Sequence, residues 1–285
     1  MKIFKDTGYK LGWRIQLSFQ IKLNSRDHYL LTRYPLQLRW RGDIRDYFGV
    51  GTVRKDKNNN SVYSVTKVEE LTSVIFPHFD RYPLLTKKWA DYQLFRAIVF
   101  IITDKKHKTE EGFWKILGLR YNLNWGISEE LKLAFPNITP VDRPPVPFTY
   151  INKDWLVGFI DGEGCFYINV IKSNTNFKVW LLFQITQHNR DFDLIEKIAL
   201  YLNCGSVKQR GKDLDAVDFE VTKFELINTQ IIPFLLANPL KSSKSYDFSS
   251  FYEAAQIINN KNTRQWESND IENLLNIKDK MNKYL

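Results

Sequence analysis

Cysteine, histidine, long apolar runs and acidic charge are all scarce in this chain of 285 residues, and each scarcity closes off a class of function. Cys165 and Cys204 are too few for a disulfide framework or a zinc site, so two buried thiols in a reducing compartment are expected. His28, His78, His107 and His188 follow no metal-ligand spacing, and no catalytic role is assigned to them. The longest apolar candidate, residues 97–103, falls well short of the roughly 18 residues a membrane-spanning helix needs, so no membrane partner is expected. The 32 Asp and Glu are outnumbered by 41 Lys and Arg, a formal net charge of +9 that favours a polyanionic partner. The opening M-K-I-F-K-D-T-G-Y-K has neither the apolar core of a secretory signal nor an Arg- and Ser-rich presequence. A protein with this start that works in an organelle is expected to be made there.

Apolar and aromatic residues, at 44% and 15%, are plentiful enough for one large core or two ordinary ones. Residues 14–22 alternate strictly. Ile15, Leu17, Phe19 and Ile21 form one face, and Arg14, Gln16, Ser18, Gln20 and Lys22 form the other, the pattern of a half-buried strand. Residues 27–48 read mostly as helix and 50–64 as a hairpin around 55–60. Residues 71–79, 90–102 and 113–124 read as further helices. Residues 136–153 hold five of the ten prolines and almost no periodicity, which makes them an interdomain linker between a unit at 1–135 and one at 154–285.

Beyond the linker the first half's vocabulary returns. Phe19-Gln20-Ile21 matches Phe183-Gln184-Ile185, and Arg26-Asp27 matches Arg190-Asp191, both at an offset of 164. Val65-Thr66-Lys67 matches Val221-Thr222-Lys223 at an offset of 156, the offset that also relates Pro77 to Pro233, Pro83-Leu84 to Pro239-Leu240, Lys88 to Lys244 and Asp91 to Asp247. Asn124 and Asn282 close the two copies. Such duplication implies a pseudo-twofold molecule with two equivalent polar sheet faces, suited to a partner of approximate twofold symmetry such as duplex DNA. The first copy carries an apparent insertion near residues 34–43, which puts a proline and a glycine into a helix.

Residues 155–166, W-L-V-G-F-I-D-G-E-G-C-F, organise the second copy. Leu156, Phe159 and Ile160 share a helical face, Gly158 permits another backbone to approach closely, and Asp154 is the expected N-cap. Asp161 and Glu163 fall at the helix C-terminus, where the macrodipole disfavours carboxylates, so they are expected to serve a cation. In register with the first copy, the counterpart of Glu163 falls before Met1, and that copy is expected to lack its opening helix.

The segment from Leu156 to Gly164, L-V-G-F-I-D-G-E-G, resembles the LAGLIDADG motif of homing endonucleases. With F-Q-I-T-Q-H, Y-F-G-V-G-T-V, P-L-L-T-K-K-W-A-D and L-N-W-G-I-S-E-E-L, the resemblance covers nearly the whole chain and points to the monomeric, two-repeat type encoded in fungal mitochondrial introns. It implies an α+β fold of two pseudo-symmetric αββαββα repeats with saddle-shaped antiparallel sheets that bind DNA. It also implies hydrolysis of both strands at a specific site, aided by Mg²⁺ or another divalent cation, in the mitochondrial matrix. Carried over residue by residue, Glu163 and the Gly162 carbonyl bind the metal, Gln187 organises solvent where the first copy has Leu23, and Lys88 and Lys244 stabilise phosphate charge. Arg14, Gln16, Ser18, Gln20, Lys22, Trp180, Gln184 and Thr186 are expected to face DNA. Lys55, Lys57, Lys208, Arg210 and Lys212 are expected at hairpin tips against phosphates. Two alternatives stay open, an intron RNA maturase and an inactive remnant. With one motif helix absent, Leu156, Phe159 and Ile160 are expected to be exposed and to promote dimerisation, whereas the full-length family type is monomeric.

Overall fold

The computed structural model describes residues 1–32, 44–147, 150–173, 176–211, 214–261 and 265–281. The insertion at 34–43, Lys212 and Asn282 lie outside them. The chain divides into two compact units, Met1–Thr149 and Tyr150–Leu285.

Unit 1 runs through β1 (Lys2–Lys5), β2 (Trp13–Gln16), β3 (Phe19–Asn24), a 3-10 turn over Ser25–Leu30, α1 (Ile44–Phe48), β4 (Thr52–Lys55) and β5 (Asn60–Val65). A helical segment then opens as α2 (Val68–Glu70), widens to a π-turn over Leu71–Ile75 and continues as α3 (Phe76–Arg81). It is followed by α4 (Lys88–Thr103), α5 (Glu110–Tyr121) and α6 (Glu129–Ala134). The alternation of residues 14–22 survives in the burial pattern, but as two strands rather than one. β2 pairs with β1 and β3 with β5, so the chain leaves one ladder and enters another at Leu17 and Ser18. The Ser18 hydroxyl is buried at this break with no hydrogen-bond partner among the described residues. The helix expected over 27–48 is corrected at its start, where Asn24 accepts from the Arg26 N–H and opens a 3-10 turn over Ser25–Leu30; Ile44–Phe48 is helical as expected, and residues 33–43 lie outside the described residues.

Unit 2 contains α7 (Lys153–Glu163), β6 (Gly164–Ser173), β7 (Asn176–His188), α8 (Phe192–Leu202), β8 (Ser206–Gln209) and β9 (Ala216–Val221). It continues with α9 (Phe224–Leu226), a π-turn over Ile227–Ile231, α10 (Ile232–Ala237), α11 (Lys244–Asn259) and α12 (Ser268–Lys280). The four strands form one antiparallel sheet in the order β6-β7-β9-β8. Phe166, Ile168, Leu181, Phe183, Ile185, Val217, Phe219 and Val221 are buried on the face that α7, α8, α11 and α12 cover. Burying each such side chain contributes about 1.5–3 kcal/mol.

The two units repeat each other at the level of register. Phe19 pairs with Val65 as Phe183 pairs with Val221, and Gln20 pairs with Ser64 as Gln184 pairs with Glu220. Each unit places a proline, Pro77 or Pro233, at the start of a helix that follows a π-turn. Proline lacks an N–H and crowds the carbonyl four residues back, and the widened turn relieves both. Gly51 and Gly205 enter β4 and β8 at φ +82° and +81°. A Cβ on Gly205 would lie 2.5 Å from the Phe219 ring and 2.8 Å from the Glu220 carbonyl. Gly205→Ala is expected to cost about 2 kcal/mol from strain and overpacking together, read as a lower denaturant midpoint at unchanged m.

The proline-rich segment after α6 is docked on unit 1. The Val141 N–H donates to the Gly118 carbonyl at 3.0 Å, and Asn122 Nδ2 donates to the Val141 carbonyl at 2.9 Å. The Arg143 guanidinium reaches Asp91 at 2.9 Å and the carbonyls of Asn122 and Lys87 at 2.6 and 3.1 Å. A segment without periodicity is thus held by its own backbone groups and one arginine.

Candidate functional site

The motif helix α7 starts at Asn152, whose side chain accepts from the Trp155 N–H at 2.8 Å. Asn152 therefore replaces Asp154 as the N-cap, and Asp154 lies in the first turn, where it still favours the macrodipole. Leu156 and Ile160 are 0% and 1% exposed, and the helix packs on β6 and β7. The apolar face expected to be exposed is therefore already covered, apart from the partly buried Phe159, which stacks on Trp155 at 4.7 Å. Gly158 and Gly162 lie on the solvent side, and a Cβ on either would meet nothing within 4 Å.

The two acids of the motif separate completely in role. Asp161 accepts from the Lys241 N–H at 2.8 Å, the Ser242 N–H at 3.0 Å and the Ser242 hydroxyl at 2.5 Å. These residues lead into α11, so Asp161 satisfies donors at the start of that helix. Its poor position at the end of α7 is offset by a good one at the start of another. The expectation that Asp161 serves a cation is corrected by this geometry.

Glu163 is the last residue of α7, and it is exposed. No hydrogen bond or ion pair among the described residues involves its carboxylate. The chain turns extended at Gly164, so the Gly162 carbonyl, in the last turn, has no intrahelical donor. Lys244, the first residue of α11, donates from Nζ to the Gly164 carbonyl in a short hydrogen bond. Gly164 pairs with Ile185 on β7, and Gln187 follows two residues on, about 7 Å along the strand and on the same face. Unit 2 thus gathers Glu163, Gly162, Lys244 and Gln187 at one end of α7. Lys88 occupies the matching place in unit 1: its N–H donates to Thr86 Oγ1 at 3.2 Å, as the Lys244 N–H donates to Ser242 Oγ at 3.1 Å.

Among the described residues no three His, Cys, Asp or Glu side chains cluster to enclose a metal ion. A lone carboxylate with an adjacent free carbonyl is an open donor set of hard oxygens. That suits Mg²⁺, which keeps waters and takes phosphate oxygens rather than a full protein cage.

The polar sheet faces differ between the units. In unit 1, Gln16, Gln20, Lys55 and Lys57 are exposed, and Arg14 lies 3.9 Å from Asp6 with its guanidinium over the rings of Phe4 and Tyr9. Lys22 pairs with Asp56 at 2.7 Å and, with the Asn60 N–H, holds that carboxyl well below the usual range. Exposed Arg54, which the sequence reading missed, shares the face with Lys22, since both flank Val62 in the ladder.

In unit 2, the corresponding face carries Trp180, under the Lys178 ammonium at 5.4 Å, and then a network. Gln184, only 8% exposed, donates to Glu220 at 3.1 Å, and Lys208 donates to the same carboxylate at 2.9 Å. Thr186 and Arg210 both donate to Asp218, at 2.6 and 2.5 Å. Lys208 lies within β8 rather than at the hairpin tip, and Arg210 is the first residue of the connection that leads to β9. Hydrogen bonding to Glu220 and Asp218 raises their pKa values further above the ordinary range. The two acids were also missed in the sequence. The pairing of Gln184 with Glu220 and Thr186 with Asp218 would have found them, once β9 was set in register from its counterpart β5.

The comparisons with known proteins agree with this geometry. A family model described as LAGLIDADG endonuclease matches residues 1–99 and again residues 156–255. A Neurospora crassa protein named "Probable intron-encoded endonuclease 2" is 36% identical over 272 residues, covering 91% of this chain and 57% of that protein. The chain spans about half the length of these curated relatives. The crystal structure of the I-SmaMI LAGLIDADG homing endonuclease bound to cleaved DNA superposes with a TM-score of 0.91 at 33% identity, over 99% of this chain and 92% of that one. I-SmaMI bound to its uncleaved DNA target in the presence of calcium ions gives a TM-score of 0.90, also at 33% identity, over 99% and 93%. The repeat seen in the sequence, the repeated register of the sheets and a family match that falls once on each unit have one explanation: the chain belongs to the LAGLIDADG endonuclease family.

Proposed function

We propose that this chain is a site-specific double-strand DNA endonuclease of the homing type, dependent on Mg²⁺ and acting in the mitochondrion to promote mobility of its intron. The observation that carries this reading is the Glu163 carboxylate, which has no partner among the described residues and stands at the end of the motif helix, where Lys244 and Gln187 also converge. Relatives named as intron-encoded endonucleases in fungi support the mitochondrial and intron assignments. Superposition on DNA-bound structures supports a duplex partner for the polar sheet faces.

Glu163 and the Gly162 carbonyl would hold Mg²⁺, which when bound supplies a Lewis acid that makes a coordinated water acidic and stabilises charge on the phosphate. The protein's own residues do the rest. Lys244, fixed through the Gly164 carbonyl, brings a cation next to the developing phosphate charge, an effect strengthened where water is excluded. Gln187, with one donor and one acceptor end, orients solvent at the same place. Lys88 fills the corresponding role at the start of α4. The exposed cations of the sheets neutralise backbone phosphates and so set affinity and its dependence on salt.

The test is to incubate the full chain with a plasmid library of random duplex inserts, with Mg²⁺ or with chelator, and to sequence the cut ends. Metal-dependent cutting at one recurring sequence is the expected result. Absence of cutting, combined with tight binding of intron RNA that Glu163→Gln leaves unchanged, would overturn it in favour of a splicing role.

A further inference from the structure

Two acids stand in the middle of a face that is expected to meet a polyanion. Asp218 and Glu220 both lie on β9, and each is flanked in register by residues of β7 and β8. A carboxylate here repels phosphate, so its presence is not explained by affinity for DNA.

Geometry explains Asp218. It is 5% exposed, and its two oxygens are divided between two donors. Thr186 Oγ1 donates to Oδ1 at 2.6 Å, and Arg210 Nε donates to Oδ2 at 2.5 Å. Arg210 Nη2 in turn donates to Thr186 Oγ1 at 3.1 Å, which closes the ring of three side chains. The guanidinium is therefore held at two points instead of swinging on a flexible stem. Of its five N–H groups, Nε and one on Nη2 point inward. Of the remaining three, one on Nη1 and one on Nη2 form the outer edge of the guanidinium, and two parallel N–H groups on such an edge match the O6 and N7 acceptors that guanine presents in the major groove.

Unit 1 lacks this device. At the matching ladder positions it has Lys22, Val62 and Arg54, with no acid between the two cations, and Lys22 turns instead to Asp56 at 2.7 Å. Arg54, with no acidic partner among the described residues, contacts phosphates as readily as bases, which contributes to binding without choosing a sequence.

We propose that Asp218 is a positioning residue which, with Thr186, presets Arg210 to read one guanine in the DNA target. Arg210 thereby moves from phosphate contact to base reading. The proposal rests on the reading of the chain as a sequence-specific DNA endonuclease.

The test is selection of bound duplexes from a randomised pool in calcium buffer, followed by sequencing. The wild-type chain is compared with Asp218→Asn, Thr186→Val and Arg210→Lys. The wild type is expected to select a site in which one position favours guanine by about tenfold or more. Asp218→Asn and Arg210→Lys should flatten that position to within about twofold and leave the others unchanged, with Thr186→Val between. Asp218→Asn should also bind non-specific duplex at least as well as wild type, since an acid has left the DNA face. Equal weakening at every position with Asp218→Asn, accompanied by a lower melting temperature, would make Asp218 a purely structural strand partner and overturn the proposal. Arg210 is half-exposed at a strand end, so Arg210→Lys keeps the test open should Asp218→Asn fold poorly. A uniform loss of affinity with Arg210→Lys, at unchanged base preference, would return it to phosphate contact and equally overturn the proposal. If the wild type selects a site, the endonuclease reading stands whatever the variants do; if it selects none, both fall.

Discussion

Glu163→Gln is expected to lower the rate of strand cleavage in Mg²⁺ by about 10²–10³-fold while leaving stability within about 0.5 kcal/mol of wild type. The substitution keeps the shape of the side chain and removes only the charge that makes it a good hard-oxygen ligand. Nothing in the fold should notice. Glu163 is exposed at the end of α7, and no partner among the described residues depends on it. Single-turnover cleavage of the selected plasmid site, with binding and melting measured on the same preparation, separates the two effects. A variant that cuts at the wild-type rate would remove Glu163 from the chemistry.

Asp161→Ala, two residues earlier in the same motif, is expected to behave in the opposite way. Its carboxylate accepts from two backbone N–H groups and the hydroxyl of Ser242, and removing it leaves those donors at the start of α11 without an acceptor. The expected loss is about 3 kcal/mol, the scale for bonds to a charged group together with stranded donors. Urea unfolding of the full chain should show it as an early transition belonging to unit 2, and a midpoint unchanged from wild type would refute the assignment. Because Ser242 Oγ also accepts from the Lys244 N–H, loosening Asp161 should disturb the lysine that binds the Gly164 carbonyl. Cleavage should then fall together with stability, whereas in Glu163→Gln it falls alone.

This contrast marks how far the sequence could be read. The nine residues from Leu156 to Gly164 singled out both acids and gave one reason for both, an unfavourable helix end awaiting a cation. That reason fails for Asp161, because the donors that satisfy it lie some 80 residues downstream, whereas the Glu163 carboxylate meets no partner among the described residues. Local spacing carries no information about such a partner. The N-cap was misplaced for a simpler reason. Asn152 and Asp154 both have suitable side chains, and only the observed backbone geometry, with Asn152 extended at φ −103° and ψ 162°, decides between them.

The duplication was legible because it is written in offsets, and offsets survive without a structure. Phe19 and Phe183, or Val65 and Val221, could be matched as letters, and the ladders then confirmed them as the same cross-strand pair. The break at Leu17 and Ser18 was not legible. Alternation reports which face a side chain takes, and the same alternation runs through two strands that belong to different ladders. The proline-rich segment was read as a linker from its composition, yet composition could not foresee that Arg143 would hold it against Asp91.

By itself the sequence determined the family, the two-fold repetition and the apolar pattern of each sheet, since each of these is set by neighbouring residues or by a constant offset. The tertiary structure alone decided what each polar group is for. Asp161 became a helix-start acceptor and Arg210 a clamped donor because the groups that fix them arrive from distant strands and helices. The strength of a charge depends on those partners rather than on its neighbours in the chain.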